Sequence, residues 1–232
     1  MAVSFVSSAA AESTSLTLPA HQAGDTILMF ALRDSNAPVT TPEGWIALGN
    51  NAGLNSDNLT IGFKIASDAS TVSGTWTDSD FLVSVVYRDD ANYLIPSYRN
   101  GSRSTNGGTN SPSFPQKYYK DWITTAKSNS DRMQCDLSVV VGVVSSPSSS
   151  VDLSPPPSGM TNRIDVSGAS SHRIAVHDTG SPVDIWTVTT TTLAGATPWI
   201  TSVIELVDMG LPKSAASSSP RSPFASPPVF GV

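Results

Sequence analysis

Three histidines, one cysteine and scattered aspartates are the residues with which this chain could do chemistry. Their spacing decides which chemistry is open. His172 and His177 are five residues apart. In an extended strand that spacing puts the two side chains on opposite faces, so they cannot share a metal ion. His177-Asp178 falls at the end of a strand candidate, and a zinc site there would need partners the sequence does not advertise. These histidines read as solvated or hydrogen-bonded surface groups. Cys135 begins an apolar run beside Asp136. A neighbouring carboxylate raises a thiol's pKa, whereas nucleophilic work needs the thiolate, so Cys135 reads as a core residue. No Gly-x-Ser-x-Gly elbow is present to expose a nucleophilic serine beside a histidine.

The carboxylates cluster at Asp78/Asp80 and at Asp89-Asp90. Glycoside hydrolysis needs two carboxylates facing each other across a groove, and loop aspartates alone do not supply that. The loops at 55–57 and 78–80 offer oxygen ligands suited to calcium. Turn capping by aspartate side chains is the competing reading and the one adopted. Gly107-Gly108 lacks the helix and the Lys-Ser/Thr pair of a phosphate loop. The expectation is a chain with no catalytic residues, no cofactor and no metal.

Tryptophan occurs at positions 45, 76, 122, 186 and 199. Four of these fall on strand candidates and are expected in the core. Trp122 sits instead with Tyr118 and Tyr119 in the middle of the chain, as a candidate exposed contact for a partner or a sugar. A small satellite core beneath a long loop is the alternative for that trio.

The elements that would position these residues are strands. Only 14% of residues are charged, against about 25% in ordinary globular domains, and Ser and Thr fill the difference. β-Branched side chains suit a pleated surface, and no stretch sustains a helical apolar period beyond two turns. Strand candidates run near 2–7, 14–18, 25–33, 45–49, 59–66, 72–77 and 81–88, then near 136–144, 161–166, 172–177, 184–191 and 199–207. Turn chemistry separates them, for example Pro42-Glu43-Gly44 and Gly180-Ser181-Pro182. In Leu59-Thr60-Ile61-Gly62-Phe63-Lys64-Ile65 the odd positions are apolar, which predicts one buried face per strand and two sheets packed face to face.

The two series follow the same order: an Asp-led apolar strand, a Ser/Pro loop, a Pro-x-Gly corner, a strand ending in Asp, a Thr/Trp strand and a closing apolar strand. The corners are Pro42 to Trp45 and Pro157 to Met160. The fold expected is all-β: an antiparallel β-sandwich of jelly-roll type, residues 1–208, with two pseudo-equivalent halves at 1–88 and 135–208. Two separate small sandwiches would give the same pattern. Residues 89–134 read as a linker. It carries six of the 13 basic residues and an expected short strand near 117–125. Residues 209–232 read as an extended Ser/Pro-rich arm, since residues 211–232 contain five Pro and six Ser and cannot build a core. Phe224, Val229 and Phe230 are its candidate anchors on a neighbouring subunit.

The net charge is -6 and basic clusters are few, which argues against nucleic acid as a partner. No apolar stretch approaches the roughly 18 residues of a membrane-spanning helix. The start, MAVSFVSS, lacks the charged region of a signal peptide, and one cysteine leaves no internal disulfide. Folding in a reducing cytoplasm is expected.

The stretch LPAHQAGDTILMFALRDSNAPVTTPEGW resembles a recurrent pattern of tailed-bacteriophage virion proteins, with a Gly-Asp-led apolar strand, a Ser/Pro loop and then Pro-x-Gly-Trp. WTDSDFLVSVVYR and PPPSGMTNR look like later landmarks of the same family. The resemblance spans roughly residues 3–207 and leaves out the linker and the arm. It implies a non-enzymatic structural protein of sandwich type on capsids or tails, assembled in the host cytoplasm. Its partners would be copies of itself and other virion proteins. A capsid-decorating or cement protein is the leading expectation, and a tail-associated adhesin for host-surface carbohydrate is the alternative.

Overall fold

The computed structural model describes residues 3–52, 57–103, 110–115, 138–148, 150–168, 172–183 and 189–213. These residues form strands and connecting turns, all sheets are antiparallel, and no helix among them is long and apolar enough to cross a membrane. Residues 4–88 build one five-stranded sheet from β1 (Ser4–Ala11), β2 (Thr26–Arg33), β3 (Ile46–Ala52), β4 (Asn58–Ile65) and β5 (Phe81–Arg88). Residues 92–212 build the second from β6 (Asn92–Arg103), β8 (Ser138–Ser146), β9 (Thr161–Ser167), β10 (Arg173–Asp178) and β12 (Ile200–Pro212). The short strands β7 (Ser113–Phe114) and β11 (Thr189–Thr190) pair with each other.

The strand orders are β1-β5-β2-β4-β3 and β6-β12-β8-β10-β9. Substituting β6 for β1, β8 for β2, β9 for β3, β10 for β4 and β12 for β5 turns one order into the other. The edge strand β3 lies against β6, and the opposite edge β1 lies against β9. Each edge therefore meets the counterpart of the other edge, as a two-fold relation between the sheets requires. The jelly-roll expectation interleaves the two halves, whereas here each half keeps a whole sheet to itself.

The inner faces share one core, in which Leu28, Phe30, Ile61 and Val83 of the first sheet meet Val141, Val143, Ile174 and Ile204 of the second. The expectation of one buried face per strand fails for the central strands. Ile27, Met29, Leu82 and Val86 point outward and are buried under Leu16, Leu18, Val39, Trp45 and Trp76 from the connecting loops. Val140, Val144 and Val203 are covered in the same way by Phe114, Leu153, Met160 and Trp199. Runs such as Ile27-Leu28-Met29-Phe30 are continuous because both of their faces are dry. The candidates at 14–18 and 72–77 turn out to be cover rather than sheet. They touch through the Thr17–Val72 bridge and the Trp76 N–H to Thr14 carbonyl bond of 2.7 Å.

The segment read as a linker contributes β6, the edge of the second sheet, paired along β12. The expected strand at 117–125, Cys135, Trp186 and the arm from 214 onward lie outside the described residues.

Candidate functional site

The Pro-x-Gly corners form matching turns. The Trp45 N–H reaches the Pro42 carbonyl at 3.3 Å and the Met160 N–H reaches the Pro157 carbonyl at 3.0 Å. Gly44 and Gly159 take φ of 82° and 81°, a left-handed conformation that costs a side-chain-bearing residue. The first turn delivers Trp45 onto the outer face of the first sheet. There it meets Trp76 edge-on at 5.1 Å and its indole N–H donates to the Ser73 carbonyl at 2.8 Å. Trp76 lies over Gly62 of β4, where an added Cβ would stand 2.7 Å from the ring.

Beside this corner opens a cleft of about 340 Å³. His21, Glu43, Lys64 and Asp68 give it polar walls, and Trp45 and Val72 give it an apolar one. The Lys64 ammonium sits 5.0 Å from the centre of the Trp45 ring, within cation–π range. Burial lowers the Lys64 pKa and Asp68 opposes that shift. The His21 Nδ1–H donates to the Pro19 carbonyl at 2.7 Å. Because Trp45 is only 9% exposed and carries the lysine on one face, it is no open stacking platform. The cleft suits a small polar group rather than a flat sugar ring. Val72, 70% exposed, is the apolar residue that the rim leaves to solvent.

His172 and His177 are not the surface groups that were expected. His177 is fully buried, edge-on to Phe114 at 6.3 Å, and burial pushes its pKa down to about 4. His172 is buried too, with its Nε2 3.8 Å from Asp57 of the opposite half. The adjacent Asp57 carboxylate raises the His172 pKa against the opposing effect of burial. The two histidines do not meet, as their spacing predicts, but each is held by the fold.

Turn capping by aspartate is seen at Asp89 and Asp25, whereas Asp78 and Asp80 of the 78–80 loop bond to groups outside their own turn. Asp89 accepts from the Ala91 and Asn92 N–H groups at 2.8 and 3.1 Å, and Asp25 from the Gln22 N–H at 2.9 Å. Asp78, at φ 70°, pairs with Arg33 at 3.2 Å, and Asp80 accepts from the Asp34 N–H at 2.7 Å. Asp25 also takes a two-pronged bond from Arg88 at 2.8 and 2.7 Å.

The ionic group that sequence reasoning missed is Asp178. This fully buried carboxylate accepts from the Tyr87 hydroxyl at 2.7 Å, from Arg163 at 2.8 Å and from the Gly180 N–H at 2.7 Å. Tyr87 comes from the first sheet and the other partners from the second, so the group pins the two sheets together. Burial and the adjacent Asp178 charge hold the Tyr87 hydroxyl well above its ordinary pKa. The His177-Asp178 pair at a strand end was visible in the sequence, but Tyr87, 91 residues away, was not. The aromatic contact candidates Tyr118, Tyr119 and Trp122, and the arm anchors Phe224, Val229 and Phe230, lie outside the described residues. Comparison of the chain with protein-family models, curated proteins and solved structures gave no match.

Proposed function

We propose that this protein is a non-enzymatic structural component of a tailed-phage virion, a capsid-decorating or cement protein that contacts its neighbours. The observation that carries the reading is the repetition of one five-strand order in two sheets that cover each other inside and are covered by their own loops outside. Several residues behind the phage resemblance serve construction: Asp25 braces Arg88, Gly44 makes the corner, and Trp45 and Trp76 seal the outer face. A chain that spends its conspicuous residues this way is suited to carrying load and presenting edges.

Residues 209–232 act as an extended arm in this reading, with Phe224, Val229 and Phe230 as pegs in a neighbouring subunit. The arm's root is firm: the Lys213 N–H bonds the Ala91 carbonyl at 3.0 Å and its ammonium donates to the Asp89 carbonyl at 2.6 Å. The alternative, a tail-associated adhesin for host-surface carbohydrate, draws on Tyr118, Tyr119 and Trp122. Quantitative mass spectrometry of sedimented particles tests the main reading. A fixed copy number that persists through salt washing is expected, and loss of the chain to the soluble fraction would refute it. Saturable binding on a glycan array would favour the adhesin.

A further inference from the structure

At one end of the sandwich three ligand-bearing side chains converge from both halves. Asp34 follows β2, Asp57 precedes β4, and His172 precedes β10. One ligand atom from each lies within 4.8 Å of the other two. Asp57 and His172 hold corresponding positions in the two halves, each the residue just before the fourth strand of its own sheet. They meet because the two-fold relation brings those strand ends to the same end of the molecule.

Asp57 gives this cluster a meaning that loop aspartates lack. It is 4% exposed, and its Oδ1 has no hydrogen-bond partner among the described residues. A buried carboxylate oxygen without a donor is costly. The nearest candidate, His172 Nε2, stands 3.8 Å away, beyond a normal hydrogen bond. The site is held from behind. The His172 carbonyl takes the Gly168 N–H at 2.8 Å, and the Asp34 backbone is fixed by its N–H bond to Asp80 at 2.7 Å. Asp34 itself is exposed, so an ion has a way in from solvent.

We propose that Asp34, Asp57 and His172 form a binding site for a divalent transition-metal ion of zinc type, which clamps the two sheets at this end. Metal–ligand bonds of about 2.0–2.2 Å put neighbouring ligand atoms of one tetrahedral ion about 3.3–3.5 Å apart. The present separations close to that range by movements of under about 1 Å per side chain. An imidazole with two carboxylates suits zinc and its transition-metal neighbours, whereas calcium and magnesium take oxygen ligands throughout. The ion would give Asp57 Oδ1 the partner it lacks. It would also displace the proton that the neighbouring carboxylate favours on His172. Water would complete the coordination.

The test is titration of ZnCl2 into the metal-stripped full-length protein at pH 7.5, followed by calorimetry and thermal melting. One ion per chain is expected, and at about a hundredfold excess over Kd the melting temperature should rise by about 5–10 °C. Asp34→Asn should weaken binding at least tenfold and leave the metal-free melting temperature unchanged, because its side chain is exposed. His172→Gln should abolish binding, and Co2+ in the intact site should show visible absorption that this variant loses. If His172→Gln does not fold, Asp34→Asn with the cobalt spectrum decides alone. Absence of saturable binding, zinc affinity untouched by Asp34→Asn, or a preference for Ca2+ over Zn2+ would each overturn the proposal.

Discussion

Asp178 shows what a single side chain does in this sandwich. It is fully buried, yet three donors from two sheets compensate it. Removing one partner of a buried charge pair costs about 3–5 kcal/mol because the other charge is stranded. Asp178→Ala should therefore destabilise by that amount in urea unfolding, while Tyr87→Phe, which removes one hydrogen bond, should cost about 1–2 kcal/mol. Equal costs for the two would contradict this assignment. Trp45→Ala should cost about 3–5 kcal/mol, as for other buried aromatics, and a melting shift under about one degree would contradict its packing on Trp76. His177 sets a pH limit. Burial lowers its folded pKa to about 4 from the ordinary 6.5, so between those values the unfolded chain binds more protons than the folded one. Its contribution is complete above pH 6.5 and fades as pH falls towards about 4, by on the order of 3 kcal/mol. His172 works the other way, since Asp57 raises its pKa. Its contribution is complete below the ordinary histidine value and fades as pH rises through the raised one. Stability curves from pH 4 to 7 for the native chain and His177→Phe should diverge below pH 6.5, with the variant the flatter.

At the scale of elements, local signals were legible and distant pairings were not. The β4 strand and the two Pro-x-Gly corners involve neighbours in sequence, and both appear where the residues put them, although β4 is buried on both faces rather than one. β6 was hidden. Pro96 interrupts its pattern, and its partner β12 is about a hundred residues away, with Pro96 opposite Leu206. Proline is tolerated because β6 is an edge, with one side free of ladder bonds. The outer covers were hidden too, because Leu16, Leu18 and Trp76 read as strand residues until their partners across the sheet are known. Glycines separate these effects. Gly44→Ala meets nothing within 4 Å, so it should cost only its left-handed backbone, about 1–2 kcal/mol. Gly62→Ala pushes a Cβ to 2.7 Å from Trp76 and should cost about 1–3 kcal/mol by overpacking, with a changed tryptophan fluorescence that Gly44→Ala lacks. Identical spectra for the two variants would contradict the stacking of Trp76 on β4.

For the whole molecule, the repeated sheet order means that neither half owns a complete core. Residues 1–90 and 91–232 expressed separately should each fail to show a cooperative melt, because the shared inner face would be exposed, and mixing them should restore one. Truncation after Lys213 keeps β12 and its anchor, so the melting temperature should hold while attachment to particles is lost. A drop in melting temperature would mean that the arm folds back on its own sandwich. The composition and strand pattern made the all-β class readable, but the packing of β3 on β6 joins residues about fifty apart and the convergence at Asp57 and His172 joins residues more than a hundred apart. The most direct test of the structural role is electron microscopy of particles carrying a labelled chain. The account predicts label at regular, repeated positions on the capsid. Label confined to the tail would move the protein to the adhesin alternative, and particles without label would contradict the account.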